Sequence, residues 1–134
     1  MNPVSQTLYD RIGGRIGLAT LLRYFYADVR QHMLIGPIFN QRIDDWPTHL
    51  AKIGEFWARI TGGPSLYTGQ MPAKHLHLGI GPQHFGAWLE LWSANCNGHL
   101  KPQEAQEMIQ LAQEIARRLK SIIANNEPDG ISPS

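Results

Sequence analysis

The chain has 134 residues, 43% of them hydrophobic and 17% charged, with 12 basic and 11 acidic side chains and a net charge of +1. That length suits one domain with a real core, and the even charge balance without a run of like charge argues against nucleic acid or an anionic membrane surface, which need a clustered basic face. The one cysteine, Cys96, excludes an internal disulfide and suits a reducing compartment, and no run approaches the ~18 apolar residues of a membrane span. The opening MNPVSQTLYDRIGG lacks the charged-then-apolar layout of a secretory signal, so a cytoplasmic location is expected.

Along the chain, a first helix is expected from Ile16 to about Met33, because Leu18, Leu22, Phe25, Val29 and Met33 repeat at steps of three or four. Tyr26, four after Leu22 and three before Val29, turns its phenol into that face. Gly36-Pro37 is expected to end this element, leaving Ile38-Phe39-Asn40 room for a turn or a short helix. A second helix opens at Asp44-Asp45 with Pro47 in its first turn, and its stripe is Trp46, Leu50, Ile53, Phe56, Trp57 and Ile60. His49 falls on the same stripe, where a polar ring needs a partner or a ligand. Thr61-Gly62-Gly63-Pro64 stops the helix, and residues 61–71 read as a long loop. MPAKHLHLGIG (71–81) then sets His75 and His77 among leucines, in a stretch too short and too punctuated for a long helix. A third helix follows Gly81-Pro82 and carries Phe85, Trp88, Leu89, Trp92 and Cys96 on one side, closing at Asn97-Gly98. The last, from Pro102 to about Asn125, carries Met108, Leu111, Ala112, Ile115, Leu119 and Ile122. Nothing alternates with period two, so the fold class is all-α: one domain over residues 1–124 and a loose tail over 125–134.

Of six histidines, His32 and His99 sit at helix ends, where a ring can bond the last carbonyls, and His84 in a first turn is expected to be exposed. His49, His75 and His77 are harder to place as surface residues. Zinc would want more ligands than the chain offers, since it has no CxxC, no HExxH and a single cysteine. The surroundings are aromatic instead: Phe25, Phe39, Ile53, Phe56, Trp57, Phe85 and Trp88 gather around Tyr26 and His49. Two readings stay open on this pattern. One is a packed aromatic core whose polar groups are satisfied by backbone. The other is a flat apolar ligand held by one histidine, and haem has that shape.

The ordered set of motifs is specific. W-P-T-H-L-A-K-I-G-E-F-W (46–57), F-Y (25–26), G-P-I-F-N (36–40), Y-T-G-Q (67–70), K-H-L-H-L (74–78) and A-W-L-E-L-W (87–92) together resemble the truncated globins, most closely their third subfamily, from about Leu8 to Ile123. The glycine pairs in LYDRIGG and TGGP look more like those of the first two subfamilies. The resemblance implies a reduced globin fold, two helices packed on two, around haem b. It implies that His75 ligates the iron, that Tyr26, His49 and Trp88 form the polar distal side, and that Phe39 packs on the haem face. It also gives Lys52 as a propionate partner; Lys74, beside His75, either reaches a propionate or is solvated, and the inward-facing Ile53, Phe56, Trp57, Phe85 and Trp88 are expected against the cofactor.

The function so implied is a haem protein that binds O2, CO and NO. Hydrogen-bond donors at Tyr26 and Trp88 would slow oxygen release, each by on the order of 1–3 kcal/mol, which suits redox chemistry on oxygen, peroxide or a nitrogen oxide better than carriage. Peroxidase-like or nitric oxide dioxygenase-like turnover would need a separate reductase. The alternative is a gas sensor or oxygen-storage protein without turnover. The expected state is a monomer, with no nucleic acid or membrane partner.

Overall fold

The computed structural model describes residues 6–67 and 80–126. Its elements among these residues are all helices: α1 (Leu8–Arg11), α2 (Gly14–Gln31), α3 (Gly36–Arg42), α4 (Trp46–Thr61), α5 (Pro82–His99) and α6 (Pro102–Asn126). The four long ones pack as two on two, with α5 along α6 and α2 against both α4 and α5. Among the described residues no helix is long and apolar enough to cross a membrane.

Local chemistry sets most of the boundaries. Asp45 caps α4: its carboxylate accepts the Thr48 N–H at 3.2 Å and the Thr48 hydroxyl at 2.7 Å, and these bonds hold the Asp45 carboxyl below its usual pKa. Pro47 occupies the first turn, where no intrahelical N–H is missed, and Gly62 closes the helix with φ 96°. The α2 stripe is buried as the periodicity predicts for Leu18, Leu22, Phe25, Tyr26 and Val29, and Leu21 joins it.

Met33 departs from that stripe and is 92% exposed. The helix ends at Gln31 because His32 turns extended, and its Nδ1 accepts the N–H groups of Leu34 at 3.1 Å and Ile35 at 3.4 Å. The His32 ring thus bonds backbone donors of the following turn rather than helix carbonyls, and Ile35 takes the buried place that Met33 was expected to fill. Gly36-Pro37 accordingly opens α3 instead of only ending α2. A Cβ on Gly36 would meet the Arg30 carbonyl oxygen at 2.8 Å, so the close approach of α3 to α2 requires glycine.

The short α1 has no counterpart among the expected elements. Thr7 and Asp10 form a reciprocal capping box, with bonds of 3.0 and 3.3 Å. Arg11 then reaches α6, where it donates to Glu104 at 2.9 Å and to Glu107 at 2.7 and 2.9 Å; this pairing holds the Glu107 carboxyl down at about 2. On the other side the Tyr9 ring lies over Gly63, where an added Cβ would come within 2.5 Å of it. The TGGP glycines therefore have a packing reason: they let α1 dock on the end of α4.

The centre of the core is a stack of indoles. Trp92 is fully buried, with Trp57 parallel to it at 4.5 Å and Trp88 parallel at 6.0 Å, while Phe25 meets it edge-on at 4.8 Å. Its N–H donates to the Met108 carbonyl at 3.0 Å and ties α5 to α6. Trp92→Phe keeps an aromatic ring but removes this bond and part of the stacked surface. It should cost about 1–2 kcal/mol of stability, measured by chemical denaturation. Cys96, one turn on, is buried too, and burial pushes its thiol up to about 12, so it fills space rather than reacts.

Candidate functional site

The two helix pairs do not close on each other completely. Between them lies a cavity of about 600 Å³, within the ~300–1,000 Å³ typical of cofactor sites. Its α4 wall is built from one face of that helix: His49, Lys52, Ile53, Phe56 and Trp57 fall at helical spacing and all line it. Tyr26 comes from α2, Phe39 and Arg42 from α3, and Phe85 and Trp88 from α5. Ile115, Ala116 and Leu119 of α6 complete the far side, and Leu66 and Tyr67 border it after α4.

Tyr26 is the most constrained polar group there. Its ring is edge-on to His49 at 5.9 Å and to Phe39 at 5.9 Å, and it is tilted against Trp46 at the same separation. Trp46 is in turn covered by the Arg30 guanidinium at 4.6 Å, and this fixes the outer edge of the cluster. Burial pushes the Tyr26 hydroxyl well above its ordinary pKa, and a hydrogen bond with the Trp88 side chain partly offsets this. Indole offers only its N–H, so Trp88 donates and the Tyr26 oxygen accepts. Tyr26 therefore stays a neutral phenol throughout the physiological pH range, with its own O–H still to give. The donors anticipated at Tyr26 and Trp88 are arranged in series, the second bonded to the first.

Every described residue among the expected site positions lines this one cavity: Tyr26, Phe39, His49, Lys52, Ile53, Phe56, Trp57, Phe85 and Trp88. His75 and Lys74, and with them His77, lie outside the described residues. Trp92, one turn beyond Trp88, is fully buried in the core and does not line the cavity. Arg42, Glu55 and His84 line the cavity without having been expected there. Glu55 does so while holding the loop after α4: its carbonyl accepts the Ser65 hydroxyl at 2.5 Å and its carboxylate the Leu66 N–H at 2.6 Å.

His84 is the clearest correction. It is half-buried in the cavity wall rather than exposed, and its Nδ1 accepts the Gly81 N–H at 2.7 Å. The spacing carried the signal, because His84 lies four before Trp88 and so shares its helix face.

The residues present fit a flat apolar ligand with acidic groups at its edge. Aromatic and branched side chains supply most of the wall, hydrogen-bonding groups are few, and Arg42 and Lys52 bring positive charge. This is the chemistry of a haem pocket.

Comparison with known proteins agrees. The family model for bacterial-like globins matches residues 7–121. The group 3 truncated hemoglobin of Campylobacter jejuni is 37% identical over 111 residues, covering 79% of this chain and 87% of that protein. The crystal structure of a group III truncated hemoglobin from Campylobacter jejuni superposes with a TM-score of 0.76 at 36% identity, covering 82% of this chain and 91% of that one. The group II truncated hemoglobin from Bacillus anthracis gives a TM-score of 0.78 at 25% identity, covering 89% and 92%. With a two-on-two helical sandwich, an aromatic cavity between its pairs and a family match over most of its length, the chain belongs to the bacterial-like globins and is a haem-binding protein of the truncated type.

Proposed function

We propose that this globin holds O2 or another diatomic ligand under strong hydrogen-bond control and turns it over in redox chemistry with oxygen, peroxide or a nitrogen oxide. The observation that carries this reading is the Tyr26 hydroxyl, buried in the cavity wall, kept neutral and receiving a bond from Trp88. Haem, when bound, supplies an iron centre that coordinates the diatomic and exchanges electrons with it. His75 is the residue proposed to hold that iron, on the strength of the KHLHL motif, and Phe39, in the cavity wall, would pack against the porphyrin. Lys52 and Lys74 are proposed propionate partners, with Arg42 joining them from α3.

The chain's own residues then divide the work. Tyr26 gives its O–H to the ligand; Trp88, by donating into the Tyr26 oxygen, polarises that O–H and makes it a better donor. His49, edge-on to Tyr26 and Trp46 in the cavity wall, would be the group that takes or returns a proton. Ile53, Phe56, Trp57 and Phe85 keep water out, which strengthens each of these bonds. Slow ligand release follows, and slow release favours turnover over delivery. Electrons would come from a separate reductase, and the protein is taken to act as a monomer.

The first test is spectroscopic. Purified protein loaded with hemin should show a Soret band, shift on dithionite, and shift again on CO. Absence of any Soret band after loading would sink the reading. Steady-state consumption of peroxide, or of nitric oxide with oxygen and a reductase, then separates an enzyme from a gas sensor, which would bind the same ligands and consume none.

A further inference from the structure

Haem carries two carboxylates, and among the described residues Lys52 and Arg42 bring positive charge to the cavity wall only on its α3–α4 side. On the opposing wall, built from Ile80, α5 and α6, the hydrogen-bonding side chains among the described residues are Trp88 and His84. Trp88 is committed to Tyr26. His84 accepts the Gly81 N–H at 2.7 Å through Nδ1, and a ring nitrogen that accepts carries no proton. The proton of the neutral imidazole is therefore on Nε2. A ring locked in that tautomer has no lone pair at Nε2 for a metal; it has an N–H to give to an anion. Its own helix fixes the orientation, so the donor is preorganised.

We propose that His84 is a carboxylate-recognising residue of the cofactor pocket, with its Nε2–H donating to an acidic side group of the bound porphyrin. The proposal rests on the haem reading above and assigns His84 a task beyond capping α5. Capping alone explains the Nδ1 bond but not why the ring stands in a wall that, apart from Trp88, is built from Ile80, Phe85, Ile115, Ala116 and Leu119.

The discriminating pair is His84→Gln and His84→Glu. Both side chains can accept the Gly81 N–H and keep the cap. Only glutamine then has an N–H to offer, whereas glutamate presents a second negative charge. The full chain, loaded with haem or with haem dimethyl ester, is mixed with an excess of a scavenging apoglobin, and the rate of porphyrin transfer is read from the Soret region. His84→Gln should release haem near the wild-type rate and His84→Glu roughly tenfold faster or more, as expected for loss of one charge-assisted hydrogen bond. With the dimethyl ester, which has no carboxylate, the two variants should release alike. Equal release of haem from both variants overturns the proposal, as does the same difference with the ester. Failure of the wild type to take up either porphyrin overturns the haem reading itself, a result distinct from both.

Discussion

His75→Ala is expected to abolish the histidine-ligated ferrous spectrum, while His77→Ala leaves it intact. Two imidazoles two residues apart cannot be separated by spacing, and the assignment of His75 comes from the KHLHL motif. The cavity bears on the other imidazoles in its wall, not on the choice between His75 and His77. His84, a second imidazole in the wall, holds the tautomer whose Nε2 bears hydrogen, so in this arrangement it is a donor and not a ligand. His49 stands against Tyr26 and Trp46, in the cluster proposed to face the bound diatomic. An iron ligand at His75, as proposed, would leave both in those roles. The measurement is the absorption spectrum of reduced protein with and without added imidazole. Imidazole should restore the lost band in His75→Ala by filling the space left by the ring. An unchanged ferrous spectrum in His75→Ala would show that another ring holds the iron.

Tyr26→Phe is expected to raise the oxygen dissociation rate roughly five- to a hundredfold, the equivalent of about 1–3 kcal/mol for a hydrogen bond in a low-dielectric pocket. Because Trp88 donates to the Tyr26 oxygen, its influence on the ligand passes partly through that hydroxyl. Trp88→Phe should therefore raise the rate less than Tyr26→Phe does. The double variant should lie close to Tyr26→Phe alone rather than at the product of the two effects. Stopped-flow dissociation of oxygen from the three variants and wild type checks this. Unchanged rates in both single variants would remove the hydrogen-bond account, and fully multiplicative rates would mean that the two groups act on the ligand independently. Since burial raises the Tyr26 pKa, the hydroxyl remains a donor at every pH below that raised value, so the wild-type rate should not change through an ordinary tyrosine titration near pH ~10.

The helices were legible because amphipathic spacing is a local property. The stripes of α2 and α4 needed nothing beyond the order of residues, nor did the Asp45 cap or the glycine stop at Gly62. A stripe says which side chains share a face, and so Tyr26, His49 and Trp88 could be named as inward-facing before their surroundings were known. The ends were less legible where a side chain elsewhere decides them. Met33 continues the α2 pattern, yet the His32 ring turns the chain and Ile35 fills the core in its place. His84 was misjudged because a first-turn position suggests solvent, whereas the cavity beside α5 exists only once α4 and α6 are in place.

The sequence by itself determined an all-α chain, the faces its helices bury and, through an ordered set of motifs, the globin family and its haem. Tertiary structure alone decided that Trp88 bonds Tyr26, that α1 docks through Tyr9 on Gly63 and through Arg11 on Glu104 and Glu107, and that His84 turns a fixed tautomer into the cavity wall. The physical reason is the same in each case. Periodicity specifies a direction relative to a helix axis, whereas hydrogen-bond partners and steric limits depend on distances between segments that only packing brings together.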